Sequence, residues 1–164
     1  MKIKFIVFLI LLSGTCFAQS QNNRLDFKGE TFRYVNQLNQ FKGYKEIEGA
    51  LIQPVGSDYG ISNISNGINT IILFEKVIHA DNGKVNYQIL DTINVGRLPR
   101  NKSIIMMGCL INKKDDPEVI GLIKSTEKKG YFTPLEAWRA NRKTNTIQKI
   151  PVKGIDCAAL VGED

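Results

Sequence analysis

The sequence is poor in the residues from which common catalytic and metal centres are built, with one histidine and three cysteines among 164 residues. A Ser/His/Asp or Cys/His catalytic device would have to use His79, and no G-x-S-x-G motif accompanies it. One histidine and two cysteines that we expect to pair cannot supply a tetrahedral zinc site. We therefore expect no metal and no cofactor, and we favour a protein without catalytic activity over an enzyme.

A long hydrophobic run is also missing. The apolar residues 5–12 fall well short of the roughly 20 residues that a membrane-spanning helix needs. They follow Lys2 and Lys4 and precede small residues up to Ala18, which is the pattern of a secretory signal peptide. The sequence predicts a signal peptide over residues 1–18 with cleavage after Ala18, no transmembrane anchor, and a secreted or periplasmic protein.

A lipid-anchored protein is the alternative. Residues 11–16 resemble the lipobox of bacterial lipoproteins, in which the cysteine, here Cys16, is acylated after cleavage just before it. Thr15 departs from the Gly, Ala or Ser expected at its position, which favours the cut after Ala18.

Charge and length limit what the mature chain can be. Loss of Lys2 and Lys4 lowers the formal net charge by two from +6, so the protein is mildly basic and nucleic acid is an unlikely partner. Residues 19–26 begin with a stretch free of apolar side chains and predict a disordered leader. Residues 27–164 have a length that fits one β-rich globular domain.

Cysteine usage agrees with export. After the loss of Cys16, Cys109 and Cys157 remain, an even number in a compartment where thiols are oxidised. We predict that they form a disulfide, which would close a loop of about 49 residues and stabilise the fold by about 4 kcal/mol. Two separate buried thiols are the alternative.

The N-terminal part of the domain predicts a helix. Apolar residues over residues 27–41 follow the spacing of one helical face, Asp26 can cap the start, and Gly43 can end it. Phe32 lies off this stripe, and residues 31–35 would also suit a strand. Residues 43–69 are rich in glycine, serine and asparagine and predict a loop with at most one short strand.

The rest of the chain has the pattern of β-structure. Asn82-Gly83 between two apolar stretches is a strong hairpin signal, because a type I′ turn needs positive φ at both central residues. Asp91 interrupts the buried row of the second arm, for which a β-bulge or a strand end is the plainer explanation. Residues 104–111 are apolar on both parities and predict one central strand covered on both faces.

These elements predict an α+β fold class. The N-terminal helix would pack on an antiparallel β-meander sheet of roughly six strands. The alternative is a closed β-barrel, which the two-sided strand makes less favourable.

The basic C-terminal hairpin is the best candidate for ligand binding. Arginine forks and aromatic faces suit phosphate, carboxylate or sugar groups. The candidate ligand-binding residues are Tyr131, Trp138, Arg139, Arg142, Lys143 and Lys149. The alternative is a solvated face with Trp138 in the core.

One acidic cluster could hold a cation. Asp115, Asp116 and Glu118 carry the oxygen ligands that calcium takes, but their spacing differs from an EF-hand and Lys113 and Lys114 precede them. A solvated loop is the better interpretation.

The alternation of Trp138 and Ala140 with polar residues, the Thr-Asn turn and a cysteine near the C-terminus resemble small uncharacterised secreted bacterial proteins. The resemblance covers the C-terminal third, implies an envelope or extracellular location, and brings no known activity. The hypothesis is a non-enzymatic secreted or periplasmic β-rich binding module for an envelope protein or an anionic glycan or lipid. A small secreted hydrolase or enzyme inhibitor without a recognisable site is the alternative, and the oligomeric state stays open.

Overall fold

The computed structural model of the chain describes residues 25–52, 58–80, 83–125 and 129–159. The predicted signal peptide and residues 19–24 of the predicted leader lie outside these ranges. Leu25 already contacts the fold, because its N–H donates to Thr92 Oγ1 at 3.3 Å and its carbonyl accepts from the same hydroxyl at 2.9 Å. No helix in the described ranges is long and apolar enough to cross a membrane.

The described chain is built almost entirely of β-strands, with two single turns of 3-10 helix at Val35–Gln37 and Asn39–Phe41. The strands are β1 (Thr31–Phe32), β2 (Lys45–Leu51), β3 (Tyr59–Ser65), β4 (Thr70–His79), β5 (Val85–Gly96), β6 (Lys102–Ile105), β7 (Cys109–Ile111), β8 (Lys114–Asp115), β9 (Val119–Lys124), β10 (Gly130–Phe132), β11 (Glu136–Asn141), β12 (Thr146–Ile150) and β13 (Ile155–Ala159).

The strands form three antiparallel sheets. The first sheet has the order β1-β5-β4-β3-β2, the second β12-β11-β9-β6, and the third β10-β13-β7-β8. The predicted α+β class with one sheet of roughly six strands is therefore wrong. Each sheet has two edge strands among the described residues, so none of the three closes on itself.

The predicted N-terminal helix is absent from residues 27–41. Phe32, which lies off the helical stripe, is buried because β1 pairs with β5 and places Phe32 opposite Tyr87. Three further side chains of the segment are buried through the two 3-10 turns: Val35, Leu38 and Phe41. Apolar spacing of three to four residues fits such turns as well as it fits a helix, and the pairing of β1 decides between them.

Two strands occupy the stretch predicted as a loop with at most one short strand. β2 pairs with β3, and β3 pairs with β4 along its whole length. The sequence of β3 is rich in glycine, serine and asparagine, which have low β-propensity or compete for backbone hydrogen bonds. Its five inner residues are nevertheless buried, because other layers cover both of its faces.

The predicted hairpin is confirmed by the pairing of β4 with β5, although Asn82 itself lies outside the described residues. A β-bulge at Leu90 exchanges the two faces of β5. Tyr87 and Ile89 before it pack towards one core, whereas Ile93 after it packs towards the other. Of the two explanations given for the interruption at Asp91, a β-bulge and a strand end, the bulge is the one observed.

Residues 104–111 form two strands instead of one. β6 ends at Ile105 in the second sheet, and β7 begins at Cys109 in the third. Gly108 between them has a φ of +79°, a conformation that favours glycine. The segment is apolar on both parities because the chain crosses here from the second sheet to the third.

Three hydrophobic clusters hold the layers together. The first joins the first and second sheets and includes Phe74 and Trp138. The second lies between the outer face of the first sheet and residues 25–44. The third joins the second and third sheets and includes Cys109 and Cys157.

The predicted disulfide is confirmed. Cys109 in β7 and Cys157 in β13 lie directly opposite each other and are bonded. Gly121 of β9 packs against the bridge, since a Cβ there would overlap Cys157 Sγ and lie 3.3 Å from Cys109 Sγ. Space for the sulfur atoms is thus the reason for glycine at this position.

Candidate functional site

The six residues of the predicted basic site are spread over two sheets. Tyr131 is exposed in β10 of the third sheet, and the other five belong to the β11–β12 hairpin of the second. Trp138 is only 6% exposed and lies in the core between the first and second sheets. Arg139, the next residue along the strand, points to the opposite face.

Acidic side chains pair with both arginines of the hairpin. Arg139 Nη2 lies 2.5 Å from Asp116 Oδ2, and its Nη1 lies 3.5 Å from Glu118 Oε2. Arg142 Nε donates to Glu118 Oε1 at 2.6 Å. Two of the three acidic residues considered for calcium, Asp116 and Glu118, are therefore ion-pair partners of the hairpin. No group of three metal-ligating side chains occurs in the part of the chain that the structure describes.

The two hairpin lysines differ in their surroundings. Lys149 Nζ donates to Glu136 Oε2 at 2.6 Å, whereas Lys143 is exposed in the turn between β11 and β12. Ligand binding by the six residues stays a prediction. Because three of the four basic side chains already pair with acids, few hydrogen-bond donors remain for an anion.

His79 lies at the end of β4 and is mostly exposed. Its Nε2 is 3.8 Å from Asp58 Oδ1, and the Asp58 side chain is exposed as well. The contact has the character of a surface pair.

A different group of basic side chains lies in the connection from β5 to β6. Leu98 packs against the core between the first and second sheets, and the Lys102 N–H donates to the Pro99 carbonyl at 3.0 Å in a turn. Arg97 and Arg100 remain exposed and line a cleft of about 660 Å³.

Lys102, which lines a neighbouring cleft together with Leu98, and Lys124 add two charges to this region. They lie directly opposite each other in the β6–β9 pair, an arrangement in which like charges repel. We call Arg97, Arg100, Lys102 and Lys124 the basic surface. Within the described ranges none of the four forms an ion pair, and the acid in the adjoining cleft is Glu48.

An acidic cleft opens on the outer face of the first sheet. Its volume is about 190 Å³, and it is lined by Phe32, Glu46, Gly49, Ala50, Leu51, Gly60, Ile61, Ser62, Glu75 and Tyr87. Glu75 is only 4% exposed, and its Oε1 accepts a hydrogen bond from Ser62 Oγ at 2.8 Å. Its other oxygen, Oε2, has no hydrogen-bond partner among the residues that the structure describes.

A β-bulge places the two carboxyl groups on one face. Ile47 is the extra residue of β2 in its pairing with β3, so Glu46 and Gly49 share a face although they are three positions apart. With regular alternation Glu46 would point to the opposite face. Glu75 of β4 lies on the same face as these two residues and lines the same cleft.

Two glycines keep the cleft open. Gly60 lies directly opposite Glu75, and a Cβ on it would be 3.7 Å from Glu75 Oε2. A Cβ on Gly49 would be 2.7 Å from Glu46 Oε1. Neither glycine has a positive φ, so the backbone conformation does not require glycine at these positions. What glycine provides here is open space above the strands. Glycine inside a strand often marks a place where a ligand approaches closely.

The cleft perturbs its titratable groups. Burial raises the pKa of Glu75 to about 7, with the Ser62 hydrogen bond opposing this rise and the charge of Glu46 adding to it. Burial and then the charges of Glu75 and Glu46 raise the pKa of Tyr87. The three groups therefore share one electrostatic environment.

Neither the acidic cleft nor the basic surface was predicted from the sequence. Glu46 lies in a stretch predicted as loop, and Glu75 lies in a strand whose neighbour β3 was not predicted. The basic surface joins a loop to two strands that are about 20 residues apart in the chain. In the sequence, the basic surface is visible only as four basic residues at separate positions.

Comparison of the chain with protein-family models, with curated proteins and with solved structures gives no match.

Proposed function

We propose that the protein is an exported, non-enzymatic binding module that holds an anionic envelope ligand on the basic surface. The observation that carries this proposal is that four basic side chains lie in the β5–β6 connection and the adjoining β6–β9 pair, and that none of them forms an ion pair in the described ranges. Phosphate or carboxylate oxygens bound there would accept hydrogen bonds from the arginines and offset the repulsion between Lys102 and Lys124.

Binding to anionic probes tests the proposal. Vesicles containing phosphatidylglycerol and the polyanion heparin are the probes, and phosphatidylcholine vesicles are the neutral reference. We expect binding that weakens as salt is added, because the contact is electrostatic. The triple variant Arg97→Gln, Arg100→Gln and Lys124→Gln should bind more than tenfold more weakly, since each charge near an anionic surface contributes about 1 kcal/mol.

A matched triple variant separates the surface from net charge. Lys28→Gln, Lys113→Gln and Lys153→Gln remove the same charge from exposed positions elsewhere. Equal losses in both variants, or no binding of either probe at low ionic strength, would contradict the proposal.

Export is supported by the leader sequence and by a disulfide of the kind that forms in oxidising compartments. The mass of the mature protein distinguishes cleavage after Ala18 from acylation at Cys16, the lipid-anchored alternative. Intact chain with free thiols and an uncleaved leader in the cytosol would rule out both forms.

One observation favours a small hydrolase as the second candidate. A carboxyl group with a raised pKa, such as Glu75, has the property of a general acid, and a second carboxyl group lies in the same cleft. The cleft is, however, below the roughly 300 Å³ at which ligand pockets usually begin. Turnover of ester or glycoside substrates that disappears in Glu75→Gln would favour this candidate over the binding module.

A further inference from the structure

The acidic cleft has a charge opposite to that of the basic surface and lies on another face of the molecule. We propose that this cleft binds the primary ammonium group of an alkylamine or of a lysine side chain, between Glu75 and Glu46. The inference does not depend on the function proposed for the basic surface.

Glu75 carries a carboxylate oxygen that accepts no hydrogen bond within the described residues. A carboxyl group as deeply buried as Glu75 is usually paired with a cation or saturated with hydrogen bonds. Here Ser62 occupies only Oε1, while Oε2 faces the space that Gly60 leaves open. Glu46 brings a second carboxyl group into the same space. A cation entering the cleft would be attracted by both carboxylates.

The number of open oxygens favours ammonium over guanidinium. An arginine-like fork binds best to both oxygens of one carboxylate, and Ser62 already uses one oxygen of Glu75. An ammonium group has three donors that can reach separate acceptors. Glu75, Glu46 and the hydroxyl of Tyr87 line the cleft and offer such acceptors.

The walls and the size of the cleft favour an alkyl chain behind the charge. Phe32, Leu51 and Tyr87 line it, so methylene groups would lie against rings and a leucine side chain. Its volume of about 190 Å³ is enough for one side-chain-sized group and too small for a polymer segment. A terminal alkylammonium group meets both conditions.

Binding is coupled to loss of a proton. When Glu75 is protonated, entry of the ammonium group transfers that carboxyl proton to solvent and leaves a carboxylate facing the cation. The titratable groups that face Glu75 are Glu46 from β2 and Tyr87 from β5. The other strands contribute side chains without a titratable group, Phe32 from β1 and Ser62 from β3. Affinity should therefore rise up to about tenfold per pH unit below pH 7 and level off above it.

Titration of the mature protein with n-butylamine at pH 8, followed by NMR and calorimetry, tests the proposal. We expect saturable binding of butylammonium, binding of butylguanidinium that is weaker by about tenfold, and none of 1-butanol or calcium. Glu75→Gln should weaken butylammonium binding by at least about tenfold, and Glu46→Gln should weaken it to a smaller degree.

Two further variants keep the test decisive. Gly60→Ala retains Glu75 but places a methyl group 3.7 Å from its Oε2, so it should also weaken binding. Glu48→Gln makes the same charge change on the opposite face of β2 and should leave binding unchanged. Circular dichroism confirms that each variant is folded.

The proposal is overturned if folded Glu75→Gln and Gly60→Ala bind butylamine as the parent protein does. Equal binding of 1-butanol, or equal affinity at pH 5.5 and pH 8, would overturn it as well. The peptide acetyl-Gly-Lys-Gly-amide distinguishes the source of the amine. Tighter binding than butylamine assigns the cleft to a lysine side chain, and weaker binding assigns it to a small amine.

Discussion

At the scale of single residues, Glu75 departs most from what its residue type leads one to expect. Glutamate is rarely fully buried without a paired cation, and the described partner of Glu75 is one serine hydroxyl. Its environment therefore favours the protonated carboxyl group and raises its pKa to about 7. The protonation state of Glu75 therefore changes within the range of neutral and mildly acidic pH.

The raised pKa of Glu75 predicts a stability that falls as the pH rises. Below about pH 4.5 the carboxyl group is protonated in both the folded and the unfolded states, so burial has no electrostatic cost. Between about pH 4.5 and 7 the unfolded state loses the proton first, and the free energy of unfolding should decrease by up to about 3 kcal/mol. Urea denaturation across this range measures the decrease.

Glu75→Gln should remove this part of the pH dependence and make the protein more stable than the parent at pH 8. The exposed Glu30→Gln is the control and should retain the decrease. A parent protein whose stability rises steadily from pH 4.5 to pH 7, with Glu75→Gln behaving identically, would show that the burial of Glu75 does not govern this window.

At the scale of strands, small irregularities decide which side chains meet. The bulge at Ile47 turns Glu46 towards the acidic cleft, and the bulge at Leu90 exchanges the faces of β5. Asp91 beside the second bulge accepts hydrogen bonds from the N–H groups of Thr92 at 2.9 Å and Ile147 at 2.7 Å. It thereby ties the first sheet to β12 of the second.

Gly121 of β9 predicts an effect of side-chain size on the disulfide. Gly121→Ala places a methyl group against the sulfur atoms of Cys109 and Cys157, so we expect a loss of roughly 1–3 kcal/mol from overpacking. Urea denaturation together with thiol titration under denaturing, non-reducing conditions measures both stability and bridge formation.

Gly60→Ala provides the comparison, since its added Cβ would meet its neighbours at ordinary contact distances of 3.5 Å or more. It should form the bridge fully and lose little stability. Comparable losses in the two variants would mean that glycine matters here for reasons other than space at the bridge.

At the scale of the whole molecule, the three sheets depend on different interactions. The first and second sheets share a core that contains Phe74 and Trp138, whereas the third sheet joins the second through a smaller cluster that includes the disulfide. Local stability should therefore differ between the layers.

Removal of the disulfide tests this division. Cys109→Ser with Cys157→Ser should lower the free energy of unfolding by about 4 kcal/mol, because the unfolded chain loses the constraint of a loop of that length. Hydrogen exchange should accelerate most in β7 and β13 and least in β3 and β4. Uniform acceleration in all four strands would contradict a separate, weaker third layer.

Some of the fold was predictable from local sequence because its physical cause is local. Asn82-Gly83 favours a tight turn, and the apolar stretches beside it form the β4–β5 hairpin. Cys109 and Cys157 are the two cysteines outside the predicted leader, so the expectation of an oxidising compartment was enough to predict their pairing. The helix over residues 27–41 was wrong because β1 gains its stability by pairing with β5, more than 50 residues away.

The sequence by itself determined the β-hairpin, the disulfide partners, and a composition that offers no common catalytic motif, since these follow from turn chemistry and residue identity. Only the tertiary structure decided that β3 is a central strand, that the hairpin arginines are paired with acids, and that Glu46 meets Glu75. Those outcomes depend on strand register, which changes the face of every side chain when it shifts by one residue. Register is set by burial across layers distant in sequence, and no local pattern encodes it.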